Sequence, residues 1–300
     1  MSAPAIGEAS TARDRLRGFA AAFGLLGIWT GFLVFSRLSA QQALTPWDLA
    51  ALRYAGAFCV ALPFALVFGL PRLPPLRMAA LAATASLAFP LFAFAGFAFA
   101  PASHGGVLMP GMLPFWTAAL GVVFLGDAWG RQRLVSLAVV ASGIALLAAD
   151  TFGAHPGAWR GDLLFLAASF FWSVFTILLR VWRVPAVPAT LLISLAPAPI
   201  FLPVWWLFLP TNLEAVSWGT IGFHIAFQGT LATVLSGLFF TRAVIAIGAA
   251  RTTAVTALTP ALAALAAWPL LGEPLGIAGL AGVALVSAGM ILGVVGKGAR

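Results

Sequence analysis

Ten long apolar runs determine what this chain can fold into. Each run is close to the ~20 residues that a helix needs to cross a hydrocarbon core of about 30 Å. A transmembrane barrel would show short segments of alternating polarity, and continuous apolar runs satisfy their backbone groups in lipid only as helices. The sequence therefore predicts an all-α membrane protein with ten transmembrane helices, over residues 18–37, 47–69, 78–99, 104–125, 134–150, 161–180, 188–209, 218–241, 251–271 and 276–296.

The scarcity of charge also indicates a membrane protein. Of the 300 residues, 62% are hydrophobic and 8% are charged, whereas soluble domains are about a quarter charged. The net charge of +8 does not indicate nucleic-acid binding, because the cationic residues lie singly or in pairs between apolar runs rather than on one basic face. Cys59 is the single cysteine, so the chain forms no internal disulfide, and no Cys/His cluster has the spacing of a metal site.

The first apolar run has a second interpretation. Three arginines precede it and the segment 38–40 follows it, as around a cleaved signal peptide. The run is longer than a usual signal core, and it has a counterpart in the second half of the chain. We interpret it as a retained helix that follows a cytoplasmic N-terminal tail, residues 1–17.

The positions of the basic residues predict the orientation of the chain. With ten helices both termini lie on one side, and 13 of the 16 basic residues fall in the termini and loops of that side. Cytoplasmic segments carry the excess of lysine and arginine. The sequence therefore predicts a multi-pass protein of the plasma membrane, the inner membrane of a bacterium, with both termini in the cytoplasm.

The two halves of the sequence resemble each other at nearly constant offsets. Three residues recur 143 positions later and a second set recurs 146 positions later. We interpret residues 18–150 and 161–296 as two five-helix repeats, of which the odd helix number inverts the second in the membrane. Inverted repeats are typical of secondary transporters, although a membrane enzyme or a lipid-handling protein on a duplicated scaffold remains the alternative. The recurring residues are Gly18, Trp29 and Arg37 with Gly161, Trp172 and Arg180, and Pro114, Leu125-Gly126-Asp127 and Gly143 with Pro260, Leu271-Gly272-Glu273 and Gly289.

Several of these motifs resemble one known family. The segments 161–164, 171–172, 229–251 and 270–273 are similar to the second half of EamA-type members of the drug/metabolite transporter superfamily. In the first half Trp29, Ala51-Leu52-Arg53 and the stretch from Pro114 to Asp127 match the same pattern, with Asp127 in place of the more usual glutamate. The resemblance implies two five-helix repeats around a central cavity, and secondary transport, most commonly export, of amino acids or other small metabolites.

Two tryptophans are candidate substrate-binding residues. Trp29 lies 11 residues into the first run, about 16 Å at 1.5 Å per residue, and so near the midplane. Trp172 is its counterpart in the second half. Tryptophan normally prefers the membrane interface, so two at the midplane are expected to line a cavity or, alternatively, to pack between helices.

Three polar residues complete the candidate substrate-binding set. His224 and Gln228 are four residues apart and hence on one helix face, where they could contact a substrate or bridge helices. Arg53 lies about two turns inside the second helix. It could bind a substrate carboxylate, or extend outward to a neighbouring carboxylate or carbonyl.

Two acidic residues at helix junctions are expected to have structural roles. Asp127 and Glu273 lie at helix junctions, where a carboxylate caps a following helix. No acid lies near the middle of a predicted helix, so we expect transport by facilitated exchange or transport gated by His224.

No Walker loop or hydrolytic motif is present, which predicts a non-enzyme without cofactor. The expected partners are a small-molecule substrate, the lipid bilayer and, through Gly289 and Gly293, a second copy in a possible homodimer; nucleic acid is not expected.

Overall fold

The structure is a computed structural model, and it describes residues 12–69, 73–126, 130–151 and 156–295. Within these ranges the chain is helical and has no strand. Nine helices there are long and apolar enough to cross a membrane, and a shorter tenth covers Ile277–Gly293. The predicted all-α membrane fold is confirmed.

The helices are labelled α1 to α10 in chain order. Six are continuous: α1 (Ala12–Gln41), α2 (Pro46–Phe68), α4 (Ala102–Leu125), α5 (Arg131–Thr151), α6 (Trp159–Trp182) and α10 (Ile277–Val295). Four contain a change of helical geometry or a break: α3 (Pro75–Phe97), α7 (Ala186–Leu195 and Pro197–Phe208), α8 (Trp218–Ile247) and α9 (Ala249–Thr256 and Thr259–Leu271). The first helix begins at Ala12 rather than at residue 18, and α8 continues to Ile247 rather than to residue 241.

Local sequence signals explain several helix ends. At the start of α2, the Thr45 side chain accepts a hydrogen bond from the Asp48 backbone, the Asp48 carboxylate accepts one from the Thr45 backbone, and Pro46 occupies the first turn. This capping box satisfies two backbone donors that the helix leaves unpaired. The helices α4 and α9 end at Gly126 and Gly272, with left-handed φ values of 67° and 68°. Glycine suits this conformation because it has no Cβ, and the two glycines occupy equivalent positions of the predicted repeats.

The third helix of each predicted repeat contains a π-helical segment. In α3 the segment covers Ala82–Ala88, and in α8 it covers Ile225–Leu235. The two segments begin 143 residues apart, which is the offset that relates Trp29 to Trp172. π-Helical turns are rare and often occur at functional sites. Their shared position supports the predicted internal repeat at the level of helix geometry.

Helices of one half pack against helices of the other half. Helix α1 packs against α8 and α9, whereas α6 packs against α3 and α4, and α5 packs against α10. Each first helix therefore contacts the third and fourth helices of the other half. This arrangement agrees with two related halves, while their inverted orientation in a membrane stays a prediction.

Close glycine contacts join α5 to α10. A Cβ built on Gly143 would lie 2.6 Å from the carbonyl oxygen of Gly282, and one on Gly289 would lie 3.0 Å from the Val140 nitrogen. A Cβ on Gly293 would lie 2.6 Å from the hydroxyl of Ser136. Gly289 and Gly293, which the sequence indicated for a possible homodimer, thus pack closely within the chain.

Candidate functional site

Arg53 lies inside the helix bundle. Its side chain extends from α2, the residue is 8% exposed, and the guanidinium carbon lies 5.5 Å from the centroid of the Phe32 ring on α1. The Nη1 atom has no hydrogen-bond partner among the described residues. The neighbouring Tyr54 packs edge-on against Phe201 at 5.2 Å, and its hydroxyl is also buried without a partner in the described part of the chain. Of the two sequence interpretations of Arg53, the outward carboxylate partner is not found among the ion pairs of the described residues.

Gln228 and His224 lie on α8 beside α1. The Gln228 side-chain amide donates a hydrogen bond to the Ser36 hydroxyl at 3.0 Å, so part of its role is to bridge helices. Its carbonyl oxygen and the His224 Nδ1 atom are buried, and neither has a partner within the described ranges. His224 itself is 1% exposed and packs against Phe223 with ring centroids 5.2 Å apart.

Arg53 and Gln228 border the same stretch of α1. Their contacts there, Phe32 and Ser36, are four residues apart and so occupy successive turns of one face. Helices α2 and α8 approach closely beside them, since a Cβ on Gly56 would lie 3.1 Å from the Cα of Gly229. The structure therefore brings two polar candidates from different helices to one region.

The two tryptophans pack against different apolar clusters of the bundle. Trp29 is half-buried and packs against the apolar cluster that contains Phe32. Trp172 is half-buried on α6 and lies 4.8 Å from Phe89 and 5.3 Å from Phe175, measured between ring centroids. The Phe89 ring stacks on Phe32 at 6.2 Å.

A continuous series of rings therefore joins Trp172 to the arginine. It runs from Trp172 through Phe89 and Phe32 to the guanidinium of Arg53. Phe32 and Phe89 are absent from the candidates that the sequence identified. The signal that could have found them is weak, because the chain has 25 phenylalanines and spacing alone does not separate ring–ring contacts from ordinary core packing.

An ion pair lies at one end of the bundle. This end, called the outer end because the basic residues predict that it faces outward, holds the starts of α2, α4, α6, α8 and α10. There Arg37 Nε donates to Glu273 Oε1 at 2.7 Å, and Arg37 Nη1 donates to the Phe97 carbonyl at 2.7 Å. The second Glu273 oxygen accepts from the backbone nitrogen of Ala102 at 2.9 Å. Glu273 thus caps a helix, as expected, but the helix is α4 rather than the following α10.

Two further carboxylates join helices at the outer end. Asp48 accepts hydrogen bonds from the Trp205 indole at 3.1 Å and from the Asn212 backbone at 2.9 Å. Asp162 on α6 lies 2.7 Å from Nδ1 of His104 on α4. His104 is therefore paired with an acid. The counterpart of Glu273 in the first half, Asp127, lies outside the described residues.

The described residues include no group of three or more His, Cys, Asp or Glu side chains that could hold a metal ion. The arrangement instead combines one buried cation, aromatic rings and several buried polar atoms without partners. Such a set can bind a small organic molecule by charge, stacking and hydrogen bonding.

Comparison with known proteins gives two matches of different kinds. Residues 159–295 match the EamA-like transporter family. A solved structure described only as "Crystal structure of protein" is 21% identical to this chain, covers 95% of it and 97% of its own length, and has a TM-score of 0.64; it shows the fold alone. No curated protein matches.

Proposed function

We propose that the chain is a membrane transporter, and more narrowly a secondary transporter that exports amino acids or other small metabolites, because residues 159–295 match the EamA-like transporter family. The family match is the observation that carries this proposal. The helix exchange between the two halves, with α1 against α8 and α9 and α6 against α3 and α4, supports it. Two halves that share their contacts can exchange roles, as alternating access requires.

The outer end supplies an element that can open. Glu273 and Arg37 hold the ends of α1, α3, α4 and α9 together through three short hydrogen bonds. Arg37 is 18% exposed at its side chain and Glu273 8%, so water reaches the edge of the pair. A contact at the border of water can break and form again at lower cost than one at the bilayer centre.

Efflux measurements test the proposal directly. Cells that overproduce the chain are loaded with single radiolabelled amino acids or organic acids, and loss of label is followed against cells with the empty vector. We expect faster loss of at least one compound, and counterflow of the same compound in proteoliposomes. Phospholipid scrambling in the same liposomes, without flux of any solute, would favour the lipid-handling alternative and contradict transport.

A control variant separates function from expression. Glu214 is an exposed acid on the short 3₁₀ helix Leu213–Ala215, so Glu214→Gln should export like the unmodified protein. Arg37→Gln should assemble in the membrane yet change the rate of export. If both variants export at the same rate, the outer ion pair takes no part in the transport cycle.

A further inference from the structure

The starting point is the environment of the Arg53 guanidinium. It lies about two turns inside a membrane helix, is 8% exposed, and leaves its Nη1 atom without a hydrogen-bond partner among the described residues. A charge in that position is costly, and arginines within membrane helices are normally paired with an acid or mark a substrate pathway. The face of Phe32 compensates for part of the cost by a cation–π contact, but it supplies no negative charge.

Two carboxylates at the outer end, Glu273 and Asp48, bind groups other than Arg53. Glu273 binds Arg37 and the Ala102 backbone. Asp48, five residues before Arg53 on α2, accepts from Thr45, Trp205 and Asn212. Among the described residues these acids bind no atom of Arg53.

The acids of α5 and α6 at the outer end are committed as well. Asp162 binds His104, and Asp150 accepts from the Gly276 backbone. None of the ion pairs among the described residues includes Arg53, so we take an anion from outside the protein as the partner that its chemistry requires.

The surroundings of Arg53 limit the chemistry of that anion. Phe32, Phe89 and Trp172 form a series of rings that leads away from the guanidinium. This surface suits an apolar or aromatic group. The buried Gln228 carbonyl oxygen, which has no partner in the described ranges, suits a hydrogen-bond donor. A single buried cation balances one negative charge, which favours a carboxylate over a doubly charged phosphate.

We propose that the transported molecule is a small carboxylate with an apolar body, that Arg53 binds its carboxylate, and that Phe32, Phe89 and Trp172 hold its body. This inference rests on the proposed function, since it names the substrate class of that transporter. Arg53 presents two parallel N–H groups to a carboxylate, which gives the site both its charge preference and its orientation.

The test compares acids with their neutral amides in thermal unfolding of the purified protein in detergent. The probes are leucine, phenylalanine, phenylacetate and benzoate, each with its amide, and phenyl phosphate. We expect at least one acid to raise the unfolding temperature while its amide does not, and phenyl phosphate to have less effect than the best acid. Equal effects of acid and amide, no effect of any acid, or a stronger effect of phenyl phosphate would overturn the proposal.

Variants connect the effect to the arginine. Arg53→Gln should weaken binding of the stabilising acid about tenfold or more, because a charge-assisted hydrogen bond is lost. Arg53→Lys should weaken it less, since it keeps the charge but not the paired donors, and it serves if Arg53→Gln does not fold. The matched control is Arg160→Gln, because Arg160 also lies over an aromatic ring, Trp159 at 5.7 Å, but is exposed. Undiminished binding by both Arg53 variants would contradict the assignment.

Flux measurements keep this inference separate from the proposed function. If an acid binds through Arg53 but does not cross the liposome membrane, the binding site is supported and the transport function is contradicted. If neutral solutes cross the membrane and Arg53→Gln does not alter their flux, the transport function is supported and the carboxylate site is contradicted.

Discussion

Neutralising Glu273 should open the outer end of the bundle. The variant Glu273→Gln keeps an oxygen that can accept from the Ala102 backbone, but it removes the negative charge opposite Arg37 at 2.7 Å. Loss of one charge-assisted hydrogen bond costs about 1.5–3 kcal/mol. The about 3–5 kcal/mol for a fully buried pair is too high here, because 18% of the Arg37 side chain is exposed.

This cost translates into a change in population. If the ion pair exists only while the outer end is closed, the open state gains about 10- to 140-fold relative to the closed state, at 1.4 kcal/mol for each factor of ten. Accessibility of a residue below the pair reports that ratio. Ser36 is 1% exposed and lies one residue inward from Arg37 on α1, so Ser36→Cys is a suitable reporter.

The assay measures the rate at which an impermeant maleimide labels Ser36→Cys in whole cells. Cys59 is exposed and is replaced by serine throughout. We expect Glu273→Gln to raise the labelling rate about 10-fold or more and Glu214→Gln, the exposed acid at the same end, to leave it unchanged. A rate that stays within twofold of the unmodified protein, or an equal rise with Glu214→Gln, would refute the reasoning.

Three further predictions concern orientation, the tryptophans and coupling. An impermeant reagent should label Glu214→Cys in intact cells but not Lys297→Cys, and the reverse result would invert the predicted topology. Trp172→Ala should abolish export at normal membrane levels, because it removes the end of the ring series, and Trp29→Ala should do the same if both rings line one cavity; normal export by both would return them to packing roles. In proteoliposomes, any driving of flux by a pH gradient should disappear with His224→Gln while exchange persists, whereas driving that survives would implicate a carboxylate at a helix end.

The sequence predicted the helices well because lipid imposes a length and a polarity on each of them. The run 104–125 became Ala102–Leu125, and 47–69 became Pro46–Phe68. The helix ends that differ most are those of α1 and α8. The added turns of α1 carry arginines, which hydropathy excludes from a helix, whereas α8 continues past Arg242 through the apolar residues 243–247, so a single charge was wrongly taken as its end.

Contacts between distant residues were harder to predict. Glu273 was expected only to cap a helix, yet it also pairs with Arg37, 236 residues away in sequence. The Trp205 indole donates to Asp48 across 157 residues, a contact that no sequence pattern indicated. Periodicity identifies the face of a helix, but not which other helix meets it. The internal repeat held part of the missing information, because both Arg37 and Glu273 belong to it.

The repeat also predicts how the opposite end closes. The counterparts of Arg37 and Glu273 are Arg180 and Asp127, and the distribution of basic residues predicts that both lie on the cytoplasmic side. If they form the equivalent ion pair when the inner end is closed, the two pairs hold opposite states of one equilibrium. Asp127→Asn should then favour the state that is closed outside, and so oppose the effect of Glu273→Gln.

A double variant tests this opposition. In the Ser36→Cys reporter, Glu273→Gln combined with Asp127→Asn should label more slowly than Glu273→Gln alone and return toward the unmodified rate, because the free energies of the two losses act in opposite directions. Labelling that Asp127→Asn leaves unchanged in both backgrounds would show that the second pair takes no part in the equilibrium. Outer closure would then rest on Glu273 and Arg37 without a counterpart, and the repeat would extend to the helices but not to the contacts that hold each state.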